Sequence, residues 1–175
     1  MTIAPPATLL RQFNDTITQW IAYLDAYTLD MLQRQPQPGS WSMGQVYVHI
    51  IGDTAWFADQ MEACLLNNIN SEQEMHEHAK AIFRNNRFPD GPLENPANAG
   101  MPQPQSREAL LQGLTAIHEK VNRLYARFDF SAATGKTEHP GFRFFNAAEW
   151  LQFAEMHMRH HQRQKQRIDD ALFAR

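Results

Sequence analysis

The 175-residue sequence holds a single cysteine, Cys64, so an internal disulfide is impossible and a cysteine-based zinc motif is excluded. It lacks a surplus of positive charge. Sixteen Lys and Arg stand against nineteen Asp and Glu, a net charge of −3, which leaves no electrostatic footprint for nucleic acid. No apolar run approaches the roughly 20 residues that a membrane helix needs. Met1-Thr2-Ile3-Ala4-Pro5-Pro6 has neither the basic nor the apolar region of a signal peptide. A cytoplasmic protein with no nucleic-acid or membrane partner is the expectation. Convincing strand alternation is also missing. The length suits one domain over residues 1–175, and a chain of this size buries roughly 70% of its unfolded surface, enough to fold without covalent staples. What the chain does have is histidine: eight of them, with three crowded between positions 157 and 161.

Helical periodicity accounts for most of the rest. From Pro6 to about Arg34, Leu10, Phe13, Ile17, Trp20, Ile21, Leu24 and Met31 recur mostly at steps of three and four, and Pro36, Pro38 and Gly39 stop the run. Ser42-Met43-Gly44-Gln45 reads as a capping box opening a second helix to about Asn67, with Gly52 inside it explained by close packing. Ser71-Glu72-Gln73-Glu74 offers a start for a short helix through about Asn85. Five of the ten prolines then fall between Pro89 and Pro104, too many for regular structure. A third long helix runs from Ser106 to about Asp129 on a stripe of Leu110, Leu114, Ile117, Val121, Leu124 and Phe128. After a loop over 131–145, Asn146-Ala147-Ala148-Glu149 caps a fourth, extending to about Phe173. Four long amphipathic helices predict an all-α four-helix bundle with a long Pro-rich connection between the second and third.

The histidines are then weighed on helical wheels. On the fourth helix His157 has partners at His160 and at His161. Trp150, Ala154, Ile168 and Leu172 all fall within about 60° of His157, and so does His161, whereas His160 lies at the edge of that face. His157 and His161 therefore point into the bundle at the i, i+4 spacing that lets two rings reach one ion. On the second helix His49 sits at the margin of the apolar face, in a polar strip with Asp53 and Gln60. Metal ligation with a nearby acceptor accounts for that strip, since a ligating imidazole gives its other N–H to an acceptor. Core histidines hydrogen-bonded to neighbours, and an edge histidine paired with Asp53, are the competing accounts at this stage. His76, His78 and His118 read as solvent-facing, and the spacing of His139 carries no signal.

Trp41-Ser42-Met43-Gly44-Gln45-Val46-Tyr47-Val48-His49-Ile50 resembles the start of the second helix in the DinB/YfiT-like superfamily. His139-Pro140-Gly141-Phe142, then Asn146 to Leu151, then His157 to Gln164, resembles that family's C-terminal signature. The resemblance spans essentially the whole chain except the Pro-rich segment. It implies a four-helix bundle, commonly a homodimer, holding one divalent ion through positions that match His49, His157 and His161. It also implies one of two activities, a metal-dependent hydrolase or a transferase that uses a low-molecular-weight thiol.

Three imidazoles leave a divalent ion open positions for water or substrate, as in a catalytic site. Zinc or nickel suits such ligands, with iron or manganese also compatible. Asp53 is the expected general base, and Glu155 a weaker one because the wheel turns it away. Trp41, Tyr47 and the Pro-rich segment are assigned to the mouth of the site. The expected partner is a small-molecule substrate. The alternative is a non-catalytic metal-containing bundle that binds small molecules or acts in a stress-associated interaction. A metal-free bundle ranks below both.

Overall fold

The computed structural model describes residues 4–89 and 100–173 of the chain. Four long helices dominate: α1 (Pro6–Tyr23), α3 (Met43–Leu66), α5 (Arg107–Arg127) and α6 (Ala147–Leu172). Two short helices, α2 (Leu29–Gln33) and α4 (Glu77–Asn85), and a hairpin of β1 (Lys136–His139) and β2 (Arg143–Asn146) complete the order. The predicted four-helix bundle is present. None of the described helices is long and apolar enough to cross a membrane.

Three of the four long helices start where a capping side chain stands: Ser42 for α3, Ser106 for α5 and Asn146 for α6. The Ser42 side chain accepts from the Gln45 amide while the Gln45 side chain accepts from the Ser42 amide, and Asn146 and Glu149 do the same for α6. These reciprocal bonds satisfy amides that the first helical turn would otherwise leave without partners. Phe13, Ile17 and Trp20 of α1, Tyr47 and Ile50 of α3, Leu114 and Val121 of α5, and Trp150 and Ala154 of α6 fill the core. The polar ends of the large rings tie the helices together. Trp20 Nε1–H donates to the Met158 carbonyl (3.1 Å), and Tyr47 O–H donates to the Trp20 carbonyl (3.0 Å). Tyr47 is thus fully buried and far from any mouth, contrary to the sequence expectation.

The most extensive helix pairing is α3 with α6, the two that carry the clustered histidines. Behind it, the expected single helix over 6–34 is broken. Residues Leu24–Ala26 form a 3-10 turn, Tyr27 is extended, and Thr28 opens α2 by accepting from the Met31 amide. The bend survives because the Leu24 carbonyl accepts from Arg107 Nε–H of α5 (3.0 Å), and Tyr27 O–H reaches Asp169 of α6 (2.6 Å).

The hairpin is a second departure from an all-helical expectation. It turns over Pro140–Phe142 with Arg143 in the left-handed region (φ 66°), pairs Lys136 with Asn146, and hands the chain directly to α6. Trp150 Nε1–H donates to Thr137 Oγ1 (2.7 Å), fastening it to the bundle. The short helix begins at Glu77, not at Ser71, because Met75 bridges to Arg143 and the His76 amide donates to the Phe142 carbonyl, committing that stretch to the hairpin.

Glycine placement also differs. A Cβ at Gly52 would meet nothing among the described residues, so close packing is not its reason. Within α3 the tight position is Gly44: a Cβ there would lie 2.5 Å from Pro104 and 2.8 Å from the Leu32 carbonyl. Residues 101–104 dock on this end of α3, where Gln45 Nε2 donates to the Met101 carbonyl (2.5 Å) and Ser42 Oγ donates to Gln103 Oε1 (2.9 Å). The rest of the Pro-rich excursion, residues 90–99, lies outside the described residues.

Candidate metal centre

His49 on α3 and His157 and His161 on α6 are all buried, and their Nε2 atoms converge. The separations are 3.2 Å between His49 and His157, 3.1 Å between His49 and His161, and 3.3 Å between His157 and His161. The helical wheel placed these rings correctly: the i, i+4 step stacks His157 and His161, and the α3–α6 packing brings in His49. Burial pushes all three imidazoles below the ordinary histidine pKa, His161 to about 3, with the carboxylate of Asp53 partly opposing the effect at His49. The rings are therefore neutral near pH 7, and each offers a lone pair.

Hydrogen bonding alone does not satisfy this triangle. A neutral ring nitrogen carries either a proton or a lone pair, so three mutual contacts always set at least one like pair face to face. A single cation can draw on all three lone pairs at once. Metal–nitrogen bonds of about 2.0–2.1 Å at tetrahedral angles place ligand nitrogens about 3.3 Å apart, close to the observed spacing. The cluster could hold a metal ion, and its donor set fits one.

One neighbour fixes the chemistry of His161. Its Nδ1 lies 2.8 Å from Gln164 Oε1, so Nδ1–H donates and the lone pair is left on Nε2. Gln164 stands three residues beyond His161, an i, i+3 spacing readable in the sequence that the histidine search passed over. Among the described residues, the buried Nδ1 atoms of His49 and His157 have no hydrogen-bond partner.

Asp53 is near the cluster but not as the expected acceptor of an outer N–H. Its Oδ2 lies 3.6 Å from His49 Nε2 and 3.5 Å from His157 Nε2, on the side where the lone pairs meet. Burial raises the Asp53 pKa, His49 opposes that, and the side chain stays 40% exposed and open to solvent. Gln60, on the same helical strip, does not line the cleft. Glu155 points away as expected, accepting from Thr16 Oγ1 (3.1 Å) and Arg159 Nε (2.7 Å). The Trp41 ring sits 5.2 Å from that of His49 but does not line the cleft, so it is a neighbour of the cluster and not part of the mouth.

The histidines floor a cleft of about 640 Å³, within the range of small-molecule sites. The rest of its lining is largely aromatic: Trp56, Phe142 and Phe153, with His139 among them. Sequence spacing gave no place to His139, because only the hairpin carries it there. His160 also lines the cleft, its ring 5.4 Å from that of His161. His76 and His78 are exposed as expected, while His118 is half-buried.

Fold and site together define a four-helix bundle with a three-histidine candidate metal centre at the base of an open cleft. The DinB superfamily profile matches residues 12–164, and the chain belongs to that superfamily. No curated protein matches the sequence. Among solved structures, the chain is similar to TT2238, a four-helix bundle protein, with a TM-score of 0.64 and 16% identity over 93% of this chain and 99% of that one. It is also similar to YfiT from Bacillus subtilis, described as a probable metal-dependent hydrolase with an unusual four-helix bundle topology. There the TM-score is 0.61 and the identity 12%, covering 95% of this chain and 90% of that one. At such identities these likenesses speak for the fold.

Proposed function

We propose that residues 1–175 form one catalytic domain, a metal-dependent hydrolase of a small molecule. The observation that carries this reading is the convergence of three buried Nε2 atoms beside a carboxylate, at the base of a cleft open to solvent. His49, His157 and His161 hold the ion in this reading, with zinc or nickel favoured by three imidazole donors. A divalent ion supplies Lewis acidity, polarising a carbonyl and favouring loss of a proton from water.

The chain's own groups do the rest. Gln164 holds the His161 ring in the tautomer that presents Nε2. Asp53 Oδ2, on the lone-pair side and accessible, takes a proton from the attacking water and returns it to the leaving group. The aromatic lining offers the apolar part of a substrate a surface to pack on. The fold likeness to YfiT supports this reading but does not specify a substrate.

The test is turnover of a panel of esters and amides by the metal-loaded protein. Hydrolysis should depend on the ion, and Asp53→Asn should lower kcat by about 10²–10⁴-fold, the usual contribution of a positioned acid–base group, while metal content stays at the wild-type level. Products bearing a low-molecular-weight thiol in place of water would redirect the assignment to a transferase. Metal retention with no product from any acceptor would favour a binding protein.

A further inference from the structure

The aromatic lining of the cleft adds no nitrogen to the histidine cluster, yet it contains a specific polar group. His139 stands at the hairpin tip with its ring 4.9 Å from that of Phe142, 5.0 Å from Phe153 and 5.6 Å from Trp150. The Gly141 amide donates to His139 Nδ1 (3.0 Å), which makes Nδ1 an acceptor and leaves the proton on Nε2. Burial among the aromatic rings pushes the His139 pKa down to about 4, so the ring is neutral near pH 7. No described residue accepts from the Nε2–H. The half-buried ring lines the cleft, so a ligand oxygen there could accept from it.

The rings around it are placed for contact, not only for packing. Trp56 is one of the few large apolar side chains that remain exposed, at 37%, and it stands at the cleft edge with its ring 6.2 Å from that of His139. The half-buried Phe142 continues the same apolar surface, and the buried Phe153 backs it. A cleft with one polar, ion-binding side and one aromatic side carrying a single fixed donor selects for a molecule with matching halves.

We propose that the cleft takes a planar, aryl-bearing small molecule with an oxygen acceptor, its ring laid on Trp56 and Phe142 and its oxygen bonded to His139 Nε2–H. This deepens the hydrolase reading and rests on it for which bond is cut, though not for where the ring lies. His139 is then a substrate-orienting donor that touches the ligand.

The experiment titrates nitrogen-15-labelled protein, as purified, with benzamide, toluene and acetamide. It follows the indole N–H of Trp56 and the ring nitrogens of His139. Benzamide should shift both residues saturably, toluene should shift Trp56, and acetamide should shift neither at equal concentration. His139→Phe keeps a flat ring and removes the donor. It should weaken benzamide roughly three- to tenfold, the share of one neutral hydrogen bond, and leave toluene unchanged. Equal weakening of both probes would mean a merely structural role and would overturn the assignment. Failure of benzamide to shift Trp56 or His139 would also overturn it.

Should His139→Phe not fold, two measurements still decide. The wild-type nitrogen-15 spectrum must show Nδ1 unprotonated, and Trp56→Ala must weaken benzamide and toluene alike. Metal content is read on the same samples. A metal-loaded protein that ignores benzamide sinks this assignment alone. A protein that binds benzamide but never a metal sinks the hydrolase reading alone.

Discussion

The two walls of the cleft are held in shape by different means. The histidine wall rides on α3 and α6, where helix geometry fixes each Cβ and one added contact fixes a ring, as Gln164 does for His161. The aromatic wall is mixed: Trp56 and Phe153 ride on α3 and α6 too, but Phe142 and His139 depend on two four-residue strands, held by the Trp150–Thr137 hydrogen bond and by the His76 amide on the Phe142 carbonyl. Donor atoms that must agree within a few tenths of an ångström all sit on the longest regular elements, while a surface that only needs shape and dryness is carried in part by a hairpin. The difference suggests that one side of the site tolerates sequence change far better than the other.

Unequal response to substitution would sharpen that contrast most. Gln164→Ala should weaken metal affinity by about 10- to 100-fold, as loss of a partner that orients a ligand does. Phe142→Ala, on the other wall, should leave affinity within about twofold because it touches no ligand nitrogen; competition against a chromogenic chelator reads both. Equal effects would erase the distinction.

Acidification comes next. His139 and His161 both have folded pKa values depressed by burial, to about 4 and about 3, from an ordinary 6.5. Stability from keeping them neutral is full above pH 6.5 and is lost as pH falls through the depressed values. Thermal melting of the metal-free protein should therefore drop steadily from pH 6.5 downward. His139→Phe should flatten the part of that fall down to about pH 4 and leave the histidine wall's part intact. An unchanged slope would show that His139 is not buried as a neutral ring.

The smallest contrast lies within α3. Gly44→Ala pushes a methyl against Pro104 and the Leu32 carbonyl and should destabilise by about 1–3 kcal/mol, as overpacking does. Gly52→Ala meets open space among the described residues and should stabilise by about 0.5–1 kcal/mol through helix propensity. Denaturant midpoints distinguish the two signs.

Where the chain could be read in advance, the controlling interaction was local. Ser42 with Gln45, Asn146 with Glu149, and His157 with His161 all act across three or four residues of one helix, and all were legible. His49 was legible only as the margin of a wheel, because its partners come from another helix. The break after Tyr23 was invisible: Leu24 to Thr28 contains neither Pro nor Gly, and the bend is stabilised by Arg107 and Asp169, 83 and 142 residues away from their partners. Four-residue strands are too short to show an alternation, so the hairpin and the position of His139 were lost together. Asp53 was found by its spacing from His49, but its side of the ring emerged only from the packing of α3 on α6.

The most direct test of the central claim is X-ray absorption on the purified protein, at the edge of the metal that elemental analysis detects, repeated on His157→Ala. The account predicts one divalent ion per chain coordinated by three imidazole nitrogens at about 2.0–2.1 Å, and its loss in the variant. Full metal content in His157→Ala, or a coordination shell without imidazole, would contradict it.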